Sequence, residues 1–93
     1  MKIVICGAGL VGTSIASHLA EEQNDVTVID ASAEKIQRLT EQVDVHGVVG
    51  VASYPDILSG AGARDAELLI AVTESDEVNM VACQVAHTIF NTP

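Results

Sequence analysis

The sequence predicts an α/β domain, a doubly wound parallel sheet of strand order 3-2-1-4 with helices on both faces. Two observations lead there. Short β-branched runs alternate with helical periodicities four times along 93 residues, and such alternation calls for parallel strands joined by right-handed crossovers. The apolar content is Val, Ile, Leu and Ala, with one Tyr, one Phe and no Trp, which suits a sheet buried under small-residue helices.

Lys2–Cys6 is a continuous β-branched run, too short for a helix and ended by Gly7, and so reads as a buried strand. A helix over 10–22 follows, with Val11, Ile15 and Leu19 at i, i+4 and i+8 on one face. Asp25–Asp30 is the second strand. Ser32 caps a helix reaching about residue 42, where Ile36, Leu39 and Val43 form one stripe. The third strand spans 45–50. Ser53-Tyr54-Pro55 then offers an N-cap and a first-turn proline for a short helix carrying Ile57 and Leu58, which stops near Gly60 and Gly62. The fourth strand spans 67–72. Ser75 or Thr73 caps the last helix, whose Val78, Val81, Val85 and Ile89 repeat at helical spacing until Asn91-Thr92-Pro93. No linker, internal repeat or low-complexity segment interrupts this order.

Charge narrows the functional classes. The formal net charge is −9, with only Lys2, Lys35, Arg38 and Arg64 on the positive side. That field repels nucleic-acid phosphates and anionic lipid, so neither is an expected partner. A lone phosphate ligand stays compatible, because backbone N–H groups hold it without a cationic side chain. Cys6 and Cys83 form no CxxC and read as small core residues in a reduced, cytosolic setting. No GxxxxGK[ST] is present, which excludes a P-loop. His18, His46 and His87 lack metal-ligand spacing. The start of the chain resembles a signal peptide only superficially, and no apolar run approaches a membrane span. A soluble domain without direct membrane insertion is expected.

Gly7-Ala8-Gly9-Leu10-Val11-Gly12 fits G-x-G-x-x-G between the first strand and the first helix. Gly7 permits the tight turn, Gly9 lets a pyrophosphate approach the backbone, and Gly12 lets the helix pack closely on the strand. The free N–H groups and positive dipole end of that helix then hold the anion, and no acid occupies its first turn. Asp30 stands at the end of the second strand, 18 residues past Gly12. An acid there accepts both ribose hydroxyls of an adenosine and opposes a 2′-phosphate, favouring NAD(H) over NADP(H). The pattern therefore predicts a Rossmann-like nucleotide-binding domain, shortened from the usual six strands.

Two further loops reach the same edge by topology. Gly50-Val51-Ala52-Ser53 follows strand three, on the adenine side, and Thr73-Glu74-Ser75 follows strand four across the crevice. Capping and ligand contact are equally good readings of Ser53, Thr73 and Ser75. For Glu74, Asp76 and Glu77 the reading is compensation of the helix dipole, with a cation or partner contact as the alternative. A dehydrogenase needs a substrate domain and a proton donor, and these residues supply neither. That favours a sensor over the alternative of a nucleotide-binding half of an NAD-dependent dehydrogenase, or a structural domain with an empty crevice.

The segments MKIVICGAGLVGTSIASHLAEEQNDVTVIDAS, GVVGVAS and LLIAVTESDEVNMVACQVAHTIFNTP together resemble the RCK/KTN regulators of potassium channels and transporters, from Met1 to Pro93. The most specific stretch is Ala71-Val72-Thr73-x-Ser75-Asp76-Glu77-x-Asn79-Met80. The resemblance implies a non-enzymatic NAD(H)- or ATP/ADP-binding switch, with Gly7, Ala8, Gly9, Leu10 and Val11 at the diphosphate and Asp30 at the ribose. It places Val51 and Ala52 on the adenine side and Thr73 at the strand-four edge. The family often carries Gly-Asp-Gly or Gly-His-Gly where Gly50-Val51-Ala52 stands, so contact through Val51 must be backbone or apolar. Family members usually continue for two more strands and a ligand-binding lobe, which implies that residues 1–93 are a fragment of a longer chain with a second copy. The implied partners are the membrane subunit of a potassium transporter and further copies of the domain, as a dimer or tetramer. The implied place is the cytoplasmic face of the cell membrane.

Overall fold

A computed structural model describes residues 1–89. The elements run β1 (Lys2–Cys6), α1 (Leu10–Glu21), β2 (Asp25–Asp30), α2 (Ala33–Gln42), β3 (His46–Val49), α3 (Pro55–Gly60), a 3-10 turn (Ala63–Asp65), β4 (Leu68–Ala71) and α4 (Asp76–Ile89). The four strands form one sheet of order β3-β2-β1-β4, and every pairing is parallel. The predicted fold class and strand order are both present.

Strand parity assigns the layers. Ile3, Ile5, Val26 and Val28 face α1 and α2, in a core with Ala16, Ile36 and Leu39. Val4, Cys6 and Ile29 face the other side, packed with Leu58, Leu69 and the small residues Ala61, Ala63, Ala82 and Ala86. These small residues let α3 and α4 lie close to the sheet. Ladder bonds continue one residue past the strands: Gly7 N–H to Ile29 C=O (2.7 Å), Gly50 N–H to Asp30 C=O (3.0 Å), Val72 N–H to Cys6 C=O (2.8 Å). All four carboxyl ends therefore finish along one edge, where ligands of open parallel sheets bind.

Several expectations require correction. Val11 is exposed, and the core stripe of α1 is Gly12, Ile15, Ala16 and Leu19. Val81 is likewise exposed, while Ala82 and Ala86 take the core face of α4 beside Val78 and Val85. On both helices the fully buried positions are the small residues Gly12, Ala16, Ala82 and Ala86, and Ile15, Val78 and Val85 pack beside them half-buried. Cys83, one position past Ala82, is exposed instead of buried. Pro55 occupies the first turn of α3, which makes Tyr54 the N-cap and leaves Ser53 one residue too early to cap. The 3-10 turn carries no signal that sequence reading caught. β3 and β4 are four residues each, shorter than expected. The predicted helix end at Asn91-Thr92-Pro93 and the side chain of Ile89 lie outside the described residues.

Other local expectations hold. Ser32 Oγ accepts the Lys35 N–H and caps α2. Ser75 Oγ accepts the Val78 N–H at 3.2 Å and caps α4.

Candidate functional site

The turn from β1 to α1 is built by two glycines with intramolecular reasons to be glycine. Gly7 has φ +116°, and a Cβ there would meet the Val72 carbonyl oxygen at 2.8 Å. A Cβ on Gly12 would press into the Gly7 carbonyl oxygen. Gly9 differs from both. It sits at the N-cap of α1 with φ −77° and ψ −165°, a region any residue adopts. Its missing Cβ would meet nothing within 4 Å. Thr13 N–H bonds the Gly9 carbonyl, whereas no protein acceptor among the described residues takes the N–H of Leu10, Val11 or Gly12. Such orphan donors at a positive dipole end attract an anion.

Asp30 closes this turn from β2. One carboxylate oxygen accepts the Ala8 N–H at 2.8 Å, and the other accepts the Ser32 N–H at 2.8 Å. Each carboxylate oxygen keeps lone-pair capacity for a further donor. The acid thus fixes the glycine turn and the start of α2 while remaining half-exposed at the sheet edge.

Thr73 closes the opposite wall. The Asn79 side chain accepts the Thr73 N–H (2.8 Å) through Oδ1 and donates to the Thr73 carbonyl (3.2 Å) through Nδ2. The Thr73 hydroxyl lies 2.6 Å from Asn79 Oδ1 and accepts the Ser75 N–H at 3.2 Å. Asn79 therefore imitates a neighbouring strand and pairs the backbone just past the end of β4.

Two adjoining clefts lie along this edge. One, of about 270 Å³, is lined by Asp30, Ala31, Val51, Ala52, Thr73 and Val78, among others. The second, of about 360 Å³, is lined by Ala8, Gly9, Leu10, Thr13, Arg38 and neighbours. Lys35 and Glu74 line both. The structure thus gathers Ala8, Gly9, Leu10, Asp30, Val51, Ala52 and Thr73 around one crevice. Gly7 and Gly12 shape it from beneath, buried. Val11 and Ser53 line neither cleft, and Val11 points its side chain outward. Sequence reading missed Lys35, Arg38 and Asn79. The signal for the first two was available, since α2 carries two of only four cations within eight residues of Asp30.

Comparison with known proteins agrees with this fold. Residues 3–93 match the TrkA-N domain family. The whole chain is similar to Trk system potassium uptake protein TrkA of Azorhizobium caulinodans, at 62% identity over 93 residues, 20% of that protein. It is similar to the Halomonas elongata protein of the same name at 56%, again across the whole chain and 20% of the relative. The chain therefore spans about a fifth of the length of the curated relatives it matches. Among solved structures, the fold is similar to that of the Shewanella denitrificans Kef CTD in AMP-bound form. The TM-score is 0.85 at 23% identity, over 98% of this chain and 54% of that one.

Proposed function

Since the chain belongs to the TrkA-N domain family, we propose that it is the nucleotide-binding module of a regulatory subunit that controls potassium uptake. The ligand is NAD(H), or ADP and ATP at the same site, and the controlled partner is the membrane subunit of a Trk-type transporter. The observation that carries this reading is Gly9: a glycine without conformational or steric need for it, facing open space beside orphan N–H groups. In this reading Gly7, Ala8, Gly9, Leu10, Val11 and Gly12 hold the diphosphate through backbone, and Asp30 takes the ribose. Val51, Ala52 and Thr73 flank the adenosine, while Ser53 shapes its loop only.

The names of the relatives support a potassium-uptake role, and the AMP held by the Kef structure supports an adenosine ligand. We place the domain at the start of a longer chain that assembles as a dimer or tetramer on the inner face of the membrane. No helix among the described residues is long and apolar enough to cross a membrane. Gating then requires that the ligands differ in affinity for two states of the assembly.

The test is a calorimetric titration of NADH, NAD⁺, AMP, ADP and ATP into wild-type protein and Asp30→Ala. The expected outcome is a loss of about 1–3 kcal/mol for every adenosine ligand, the scale of hydrogen bonds to a charged acceptor. Unchanged affinity removes Asp30 from the site.

A further inference from the structure

The connection from β4 to α4 lends Thr73, Glu74, Ser75 and Val78 to the first cleft, but not Asn79, which lines neither cleft. The Asn79 side chain nevertheless spends its hydrogen bonds on Thr73. Its Oδ1 accepts the Thr73 N–H at 2.8 Å and the Thr73 hydroxyl at 2.6 Å, and its Nδ2 donates to the Thr73 carbonyl at 3.2 Å. Helix capping does not call for these bonds. Ser75 already caps α4, its Oγ accepting the Val78 N–H at 3.2 Å and its carbonyl the Asn79 N–H at 3.0 Å. Strand pairing does not replace them either. The ladder between β1 and β4 closes with Val72 N–H on the Cys6 carbonyl, and no strand among the described residues takes the backbone groups of Thr73. The position of that backbone matters to the crevice. A Cβ on Gly7 would meet the Val72 carbonyl oxygen at 2.8 Å and the Thr73 nitrogen at 3.0 Å, so the Val72–Thr73 peptide rests directly against the glycine turn.

We infer that Asn79 is a positioning residue of the crevice: without touching the ligand, it holds the turn from Thr73 to Ser75 against the glycine turn, so that the wall beyond β4 stands before a ligand arrives. The inference rests on the proposed nucleotide site and adds to it a residue from outside both clefts. The clamp engages both backbone polar groups of Thr73 and its hydroxyl. That hydroxyl, donating to Asn79, accepts the Ser75 N–H at 3.2 Å and so carries the constraint across Glu74. Glu74 and Ser75 are exposed, and packing does little to order them. The two ends of the Asn79 amide are not interchangeable. Turned over, Nδ2 would face the Thr73 N–H, donor against donor, and Oδ1 would face the Thr73 carbonyl. Once the clamp is lost, the ligand itself must order the turn, and affinity falls by that ordering cost.

The experiment is calorimetry with AMP on the full-length protein, comparing wild type with Asn79→Ala and Asn79→Asp. Urea unfolding of each variant accompanies it, as does exchange of the Thr73 amide, followed by NMR on threonine-labelled protein. In wild type the Thr73 amide is expected to exchange slowly before AMP is added. Asn79→Ala is expected to bind AMP about tenfold more weakly, the scale of lost net hydrogen bonds, and its Thr73 amide to exchange fast until AMP binds. Asn79→Asp keeps the acceptor and loses the donor, so its affinity should fall between the other two. If alanine unfolds the domain, the aspartate variant and the wild-type amide carry the test. A purely structural Asn79 lowers the urea midpoint while folded variants keep the wild-type affinity for AMP. That result overturns the inference, and so does fast Thr73 exchange in wild type before AMP is added. Either one leaves the nucleotide site standing. Failure of AMP to bind wild type overturns both.

Discussion

At the scale of single residues, the three glycines of one motif make opposite demands. Gly12 has no room for a methyl group, since its Cβ would collide with backbone. Gly12→Ala is expected to cost about 3 kcal/mol, the upper part of the usual overpacking range, measured by urea unfolding. A Cβ on Gly9 meets no protein atom within 4 Å, and Gly9→Val should cost no more than about 1 kcal/mol, as an altered N-cap. The same valine enters the cleft that Gly9 lines and should abolish nucleotide binding. A folded Gly9→Val variant that still binds AMP with wild-type affinity removes the diphosphate from this turn. The motif was legible in the sequence because its spacing encodes backbone geometry directly. Asp30 was legible because a strand end places it. Lys35 carried a usable signal, a rare cation soon after Asp30, whereas Asn79 did not, because its bonds to Thr73 depend on how the loop between β4 and α4 folds.

At the scale of elements, helix existence was easier to read than helix orientation. Large apolar residues at i, i+4 and i+8 suggested a stripe through Val11, yet Gly12 and Ala16 face the sheet. Where a helix packs closely, the smallest residues mark the centre of its inner face, and larger ones such as Ile15 flank that line. The end of α1 was read to within one residue although neither Gly nor Pro marks it. The helix stops in a Schellman motif, with Gln23 N–H on Ala20 C=O (3.0 Å) and Asn24 N–H on Leu19 C=O (3.3 Å). Gln23 has φ +64°, the left-handed conformation in which glycine is the usual occupant. Gln23→Gly should therefore stabilise the domain by about 0.5–1 kcal/mol, read as a raised urea midpoint at unchanged slope. A lower midpoint contradicts strain at this residue.

For the molecule as a whole, strand order followed from the alternation of β-branched runs and helical segments. The sharing of core between the two faces did not, because it depends on strand parity after the sheet is assembled. β1 lies between β2 and β4, and its Cys6 thiol is buried among the α4 alanines. Burial pushes that thiol up to about 12, with the Cys83 thiol adding a smaller upward push. The unfolded chain releases the proton in the ordinary thiol range, near 8.5. Above that pH the unfolded state binds fewer protons than the folded one, so stability falls as pH rises towards 12. Wild type should lose stability with a slope steeper than Cys6→Ala by up to about 1.4 kcal/mol per pH unit, followed by urea unfolding between pH 8 and pH 11 (roughly the span of the two thiol values). Parallel slopes contradict a protonated Cys6.

The carboxylate that ties β1 to β2 has a consequence for choosing variants. Ala8 and Ser32 both present N–H donors to it, and a carboxamide has only one acceptor oxygen. Asparagine, the nearest isostere in shape, must turn its own NH2 towards one of them. Two hydrogens then face each other at the hinge between turn and helix. A neutral mimic at position 30 thus perturbs the scaffold as well as the charge, and shape similarity is a poor guide to how silent it will be.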